Sequence, residues 1–168
     1  MTVASGIDAH AVLAALAEAE ITHVVLVPDT HQKTVLDLLD DSGLPEIRCA
    51  TEDDVLGVCA GLWMSGARPV AMIQQLGIFA AVNALRAFTH DQRVPLAILA
   101  GMYGRDVALS TDDDPASAVR LCIPLLDVLG VASRLVESRD GAHEIASGLS
   151  AAFDDGVSSA VLLGAPTC

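Results

Sequence analysis

Six short apolar segments alternate with helical stretches along this chain, and that alternation constrains the fold more than any other feature. The strand-length segments are His23 to Val27, Glu46 to Ala50, Val70 to Ile73, Pro95 to Ala100, Ser133 to Val136 and Ala160 to Leu163. Helical patterning is read from Asp8 to Glu20, from Gln32 to Asp40, from Thr51 onward, and from Ile78 to Phe88. It returns over Ile123 to Leu129 and Ala142 to Phe153. Strands that alternate with helices predict a three-layer α/β domain: a six-stranded, mostly parallel sheet with helices on both faces. The composition agrees. It is 52% hydrophobic but only 3% aromatic, as expected where aliphatic strands are covered on both sides. With 168 residues and no repeat or linker, residues 1–168 are expected to form a single domain.

Local signals mark the element ends. Asp8 is placed to cap the first helix, Ser42-Gly43 to stop the second, and Thr51-Glu52-Asp53-Asp54 to start the third. Gly57, Ala60 and Gly61 are small enough to let that third helix pack closely. The strand Val70 to Ile73 then runs into Gln74-Gln75 and Gly77, read as a strand-end loop. Loops of that kind are where parallel α/β proteins bind ligands. The longest irregular stretch follows Gly101 and includes Asp112, Asp113 and Asp114, expected as a solvated acidic loop.

Several functions are disfavoured by charge and motif. A formal charge of −13 repels nucleic acid and anionic lipid. No apolar run reaches the length of a membrane span, and the first ten residues have no leader-like pattern. The four cysteines form no CxxC pair and read as free thiols in a reducing cytoplasm. The five histidines are scattered without metal-ligand spacing, and no metal site is expected. His31, just past the first strand, is the one expected to face a site. No dinucleotide, P-loop or nucleophile-elbow glycine motif is present. The high apolarity predicts a surface buried against another subunit.

On spacing alone Glu52 would be an ordinary helix-start carboxylate. The stretch Thr51 to Leu85 (TEDDVLGVCAGLWMSGARPVAMIQQLGIFAAVNAL) nevertheless resembles the pyrimidine-binding domain of thiamine diphosphate-dependent enzymes. It is most similar to sulfopyruvate decarboxylase alpha subunits and phosphonopyruvate decarboxylases. The residues that carry the likeness are Glu52, Cys59-Ala60-Gly61, Gln74-Gln75, Gly77 and Val82-Asn83. VPDTHQK (Val27 to Lys33) upstream and VPLAIL downstream follow the same family pattern in order.

The resemblance implies a function. In the family, a Glu bonds the cofactor's aminopyrimidine ring and favours the imino tautomer that activates the thiazolium carbon. Glu52 takes that catalytic role here, and such a carboxyl works best in an apolar pocket. Pro28, Gln75 and Gly77 are the implied cofactor contacts beside it. Asp29, His31, Lys33, Leu76, Phe79 and Tyr103 are the implied substrate pocket. The family's second domain, with the GDG…N motif that holds Mg2+ and diphosphate, has no counterpart in this sequence. A beta subunit is therefore expected to supply it, in a heterotetramer or larger assembly acting on a small 2-oxo acid.

The sequence also departs from the family. The usual Asn-Ser-Gly after the third strand is Gln75-Leu76-Gly77, and Gly-Asn further on is Phe79-Ala80. The family's arginine after the fourth strand is Tyr103. An arginine fork suits a sulfonate or phosphonate, so a less charged substrate is expected. Two alternatives stay open: a non-catalytic binding or assembly module, and a carboligase or acyl-transfer variant.

Overall fold

The computed structural model describes residues 6–139 and 141–168. Residues 1–5 of the segment read above as lacking a leader lie outside the described residues. The strands are β1 (His23–Leu26), β2 (Glu46–Arg48), β3 (Pro69–Gln74), β4 (Ala97–Gly101), β5 (Ala132–Val136) and β6 (Ser159–Leu163). The helices are α1 (Ala9–Glu18), α2 (Lys33–Ser42), α3 (Glu52–Met64), α4 (Gln75–Ala80), α5 (Val82–Arg86), α6 (Ser117–Val128) and α7 (Ala142–Asp154). A single 3-10 turn, Thr30–Gln32, precedes α2, and a π turn, Ala87–Asp91, follows α5.

The six strands form one sheet in the order β2-β1-β3-β4-β6-β5, and every pairing is parallel. The expected mostly parallel sheet is thus entirely parallel. Alternate strand residues feed opposite faces, as the two-residue period of a strand requires. Val24, Leu26, Met72 and Leu99 pack with Leu16, Val35, Leu39 and Leu149 of α1, α2 and α7. Val25, Ile73 and Ile98 pack with Leu56, Ile78, Leu85 and Leu126 of α3 to α6. From β1 the chain moves outward to β2, then returns to place β3 on β1's other side. That reversal opens a crevice beyond the carboxyl ends of β1 and β3, the usual ligand position in such sheets.

The capping signals hold. The Asp8 carboxylate accepts from His10 N at 2.9 Å, and Thr51 Oγ1 accepts from Asp54 N at 3.3 Å. Gly43 ends α2 at φ +77°, a left-handed conformation that glycine adopts without strain. Four readings change. Helix α4 starts directly at Gln75 with no intervening loop. The expected helix over Ile78 to Phe88 is broken at Ala81 (φ −94°, ψ 18°), and its end widens into the π turn. Helix α6 starts at Ser117, well before Ile123, with Pro124 inside it. Gly57 and Gly61 do not pack against anything within the chain: both are exposed, and a Cβ at either would meet nothing within 4 Å.

Cys59 and Cys122 are buried free thiols, and burial pushes the Cys122 thiol up to about 12. Among the described residues, no helix is long and apolar enough to cross a membrane. Ile98, fully buried on the central strand β4, tests the core. Ile98→Ala is expected to lower unfolding stability by about 2–5 kcal/mol, read from urea denaturation midpoints. A loss under ~1 kcal/mol would contradict this packing.

Candidate functional site

The crevice is built on Asp29. Strand β1 stops at Leu26, and Pro28 has no N–H to continue a ladder. Asp29 then caps the 3-10 turn with its own side chain, its Oδ1 accepting from His31 N at 2.9 Å. The same oxygen accepts from Gln74 Nε2 at the end of β3, at 2.9 Å. Asp29 Oδ2 accepts from Gln32 Nε2 at 3.2 Å, and that amide also donates to Ile73 O at 3.0 Å. Asp29 is buried, as is Gln32. Gly101 at the end of β4 makes room: a Cβ there would lie 2.3 Å from Asp29 Oδ2 and 2.8 Å from His31 Cβ.

His31 is buried in the same cluster. Its Nε2 donates to the Leu163 carbonyl at 2.9 Å, and its own carbonyl accepts from Thr167 N at 3.0 Å. The imidazole therefore ties the β1 exit to the β6 exit. Burial lowers its pKa below the ordinary 6.5, against the opposing pull of the Asp29 charge.

Gln75 is fully buried, and its amide is bonded at both ends to the backbone of Tyr103. Nε2 donates to Tyr103 O at 2.5 Å, and Oε1 accepts from Tyr103 N at 2.9 Å. This clasp holds the β4 exit against the start of α4 and turns the Tyr103 side chain outward, where it is 57% exposed. Tyr103 lines an open cleft of about 240 Å³ with Thr30, His31, Gly104, Arg105 and Pro166.

Glu52 is the first residue of α3 and is half-buried. Its side chain lies against Gly77 in α4: a Cβ at 77 would fall 2.3 Å from Glu52 Cγ and 2.7 Å from Oε1. Only glycine leaves room for this crossing. The carboxylate shows no hydrogen bond to a described residue, so it is free to take an N–H donor from outside the chain.

The structure bonds Asp29 to His31 and, separately, Gln75 to Tyr103; Gln74, which donates to Asp29, joins the two pairs through the chain. Gly77 and Glu52 meet two residues further along α4. Leu76 is exposed between them, and Pro28 is exposed at the β1 exit. Two expected pocket residues lie elsewhere. Lys33 pairs with Asp37 on the α2 surface at 2.5 Å, and Phe79 lines a separate apolar cleft with Val82, Leu121 and Val128.

The acidic loop is not solvated throughout. Asp114 is fully buried and accepts from Asp106 N at 2.8 Å and Ala116 N at 2.9 Å. These N–H groups, Asp106's foremost, with Arg105 hold its carboxyl below the usual range. Arg105 also donates to Glu137 Oε1 at 2.8 Å. Sequence reading missed Arg105, Asp114 and Glu137; the one available signal was an arginine between Gly104 and Asp106 at the start of the long acidic loop. Among the described residues, no group of three or more His, Cys, Asp or Glu is arranged to hold a metal.

Residues 8–113 match the family described as thiamine pyrophosphate enzyme, N-terminal TPP binding domain. The chain is also similar to three archaeal proteins. It is 33% identical over 78 residues to a sulfopyruvate decarboxylase of Methanosarcina acetivorans, covering 46% of this chain and 20% of that protein. It is 28% identical over 96 residues to a sulfopyruvate decarboxylase subunit alpha of Methanococcus maripaludis, covering 56% and 58%. The subunit alpha of Methanothermobacter thermautotrophicus is 27% identical over 100 residues, covering 59% and 61%. The matches thus span less than two thirds of each relative's length.

Two outcomes test this geometry. Gly77→Ala is expected to cost about 1–3 kcal/mol, because the new methyl group would displace the Glu52 side chain; an unchanged melting temperature would contradict the close crossing. His31 makes the second. Its folded pKa lies below 6.5, so its contribution to stability is complete above pH 6.5. That contribution is lost as pH falls below 6.5 toward the folded value. His31→Asn should therefore flatten part of the wild-type stability loss as pH falls below 6.5, measured by urea unfolding. Parallel pH profiles would contradict a neutral buried imidazole.

Proposed function

The chain belongs to the thiamine pyrophosphate enzyme N-terminal TPP-binding domain family, and on that premise we propose that it is the alpha subunit of a two-subunit 2-oxo acid decarboxylase. In this reading the whole chain is a single pyrimidine-binding domain. The observation that carries it is Glu52: a carboxylate at a helix start, lodged against Gly77. It is open to a ring nitrogen from outside the chain with which it can share a proton.

The residues present fit one part of the cofactor and not the other. Glu52 suits the pyrimidine ring. The described residues offer no cluster for Mg2+, so the metal and the diphosphate are assigned to a beta subunit. When bound, thiamine diphosphate supplies the electron sink for carbon dioxide loss. This chain's own residues do the rest of its half. With the cofactor bound, Glu52 Oε1 would share a proton with a nitrogen of the pyrimidine ring, and Gly77 fixes where that oxygen sits. Gln75 and Asp29 are positioning residues, because their side-chain bonds go to backbone and neighbouring amides. Thr30, His31 and Tyr103 wall the space for the 2-oxo acid. Names such as sulfopyruvate decarboxylase, carried by the relatives, support the reaction class. The Tyr103 substitution supports a substrate other than sulfopyruvate or phosphonopyruvate.

Glu52→Gln keeps shape but cannot share the proton. In the complex purified with its partner, it is expected to lower kcat by about 10²–10⁴-fold without releasing the partner subunit. Unchanged turnover would contradict the role of Glu52. No turnover by the wild-type complex, with cofactor bound, would instead favour a binding or assembly module.

A further inference from the structure

Resting on the decarboxylase reading, we infer that the substrate's distal group is uncharged. Glu137 sets this preference by neutralising, together with Asp114, the one lysine or arginine that lines the cleft. The lining residues are Thr30, His31, Tyr103, Gly104, Arg105 and Pro166. Arg105 is the only permanent cation among them, and its side chain is 3% exposed.

Four of the five guanidinium N–H groups are engaged within the chain. Nε donates to Glu137 Oε1 at 2.8 Å, and Nη2 donates to Leu109 O at 2.8 Å. Nη1 donates to Asp114 Oδ2 at 3.2 Å and also to the Asp106 carbonyl. Recognition of a sulfonate or phosphonate uses a guanidinium fork with free N–H groups. Here two carboxylates face one guanidinium, so Arg105, Asp114 and Glu137 together carry a negative surplus, with Arg120 held on the α6 side of Asp114 by the Asp114 and Pro115 carbonyls. A second negative charge on a substrate would meet that surplus in partly buried surroundings, where charge interactions exceed those in water.

The placement of Glu137 is built into the backbone. Gly164, just past β6, lies under its side chain: a Cβ there would sit 2.5 Å from Glu137 Oε1. Any other residue at 164 would push Glu137 off Arg105. His31 does not supply the missing positive charge. Its burial disfavours the imidazolium, and its Nε2–H is directed to Leu163 O. The surfaces left for the substrate are the Thr30 hydroxyl and the outward Tyr103 ring, which suit an apolar or aromatic group.

The test uses the cofactor-loaded complex and two probes, phenylpyruvate and sulfopyruvate. Wild type is expected to favour phenylpyruvate in kcat/KM and in calorimetric affinity. Glu137→Gln keeps the side-chain shape and an acceptor for Arg105 but removes the charge. It should narrow that preference by about tenfold, mostly through KM, with little change in melting temperature. Glu137→Asp, which restores the charge, should restore the preference. Better turnover or binding of sulfopyruvate by wild type would overturn the inference, and so would a ratio that Glu137→Gln leaves unchanged. If neither acid is turned over, the decarboxylase reading fails, and the calorimetric ratio still decides the pocket claim. Binding of neither acid overturns it.

Discussion

A single buried carboxylate holds the working end of this sheet together. Asp29 accepts from the backbone of the turn that follows it, from Gln74 at the end of β3, and from Gln32. An unpaired carboxylate in that position would be strongly unfavourable, so its partners are fixed as firmly as it is. Gln32 in turn holds Ile73, and Gln74 is immediately followed by Gln75, which clasps Tyr103. The exits of β1, β3 and β4 are thereby set relative to one another before any ligand arrives. Because the sheet is entirely parallel, all three exits open on the same side.

A recurring device brings acidic side chains close to backbone at that end. Gly77 receives Glu52, Gly101 receives Asp29, and Gly164 receives Glu137. In each case a Cβ would collide with the carboxylate or its stem. The three acids then diverge in role. Asp29 is fully engaged by amides, and Glu137 is bonded to Arg105. Glu52 keeps its oxygens open to an outside donor. The different neighbours, rather than the residue type, separate two carboxylates bonded within the chain from one left open.

Much of this was legible in the sequence. Strand and helix alternation specified the three layers, and Asp8, Thr51 and Gly43 marked helix ends where the structure has them. These signals are local, so a single sequence carries them. The polar contacts that shape the site are mostly not local. Nothing near Gly101 in sequence announces Asp29, and nothing near Gly164 announces Glu137. Gln75 was visible as a polar residue at a strand end, but its engagement with Tyr103 depends on how β3 and β4 align. The acidic run illustrates the limit well. Asp112 and Asp113 are exposed as their composition suggests, whereas Asp114 turns inward because backbone N–H groups and Arg105 await it. The two small residues Gly57 and Gly61 suggested close packing, yet their faces are open within the chain.

In the proposed complex this chain contributes Glu52 to a cofactor whose diphosphate end is held by another subunit. The most direct test of this is chemical analysis of the tagged chain purified gently from its native cells. Thiamine diphosphate is expected in the purified material together with a stoichiometric second protein. Neither cofactor nor partner, even after addition of thiamine diphosphate and Mg2+, would contradict it.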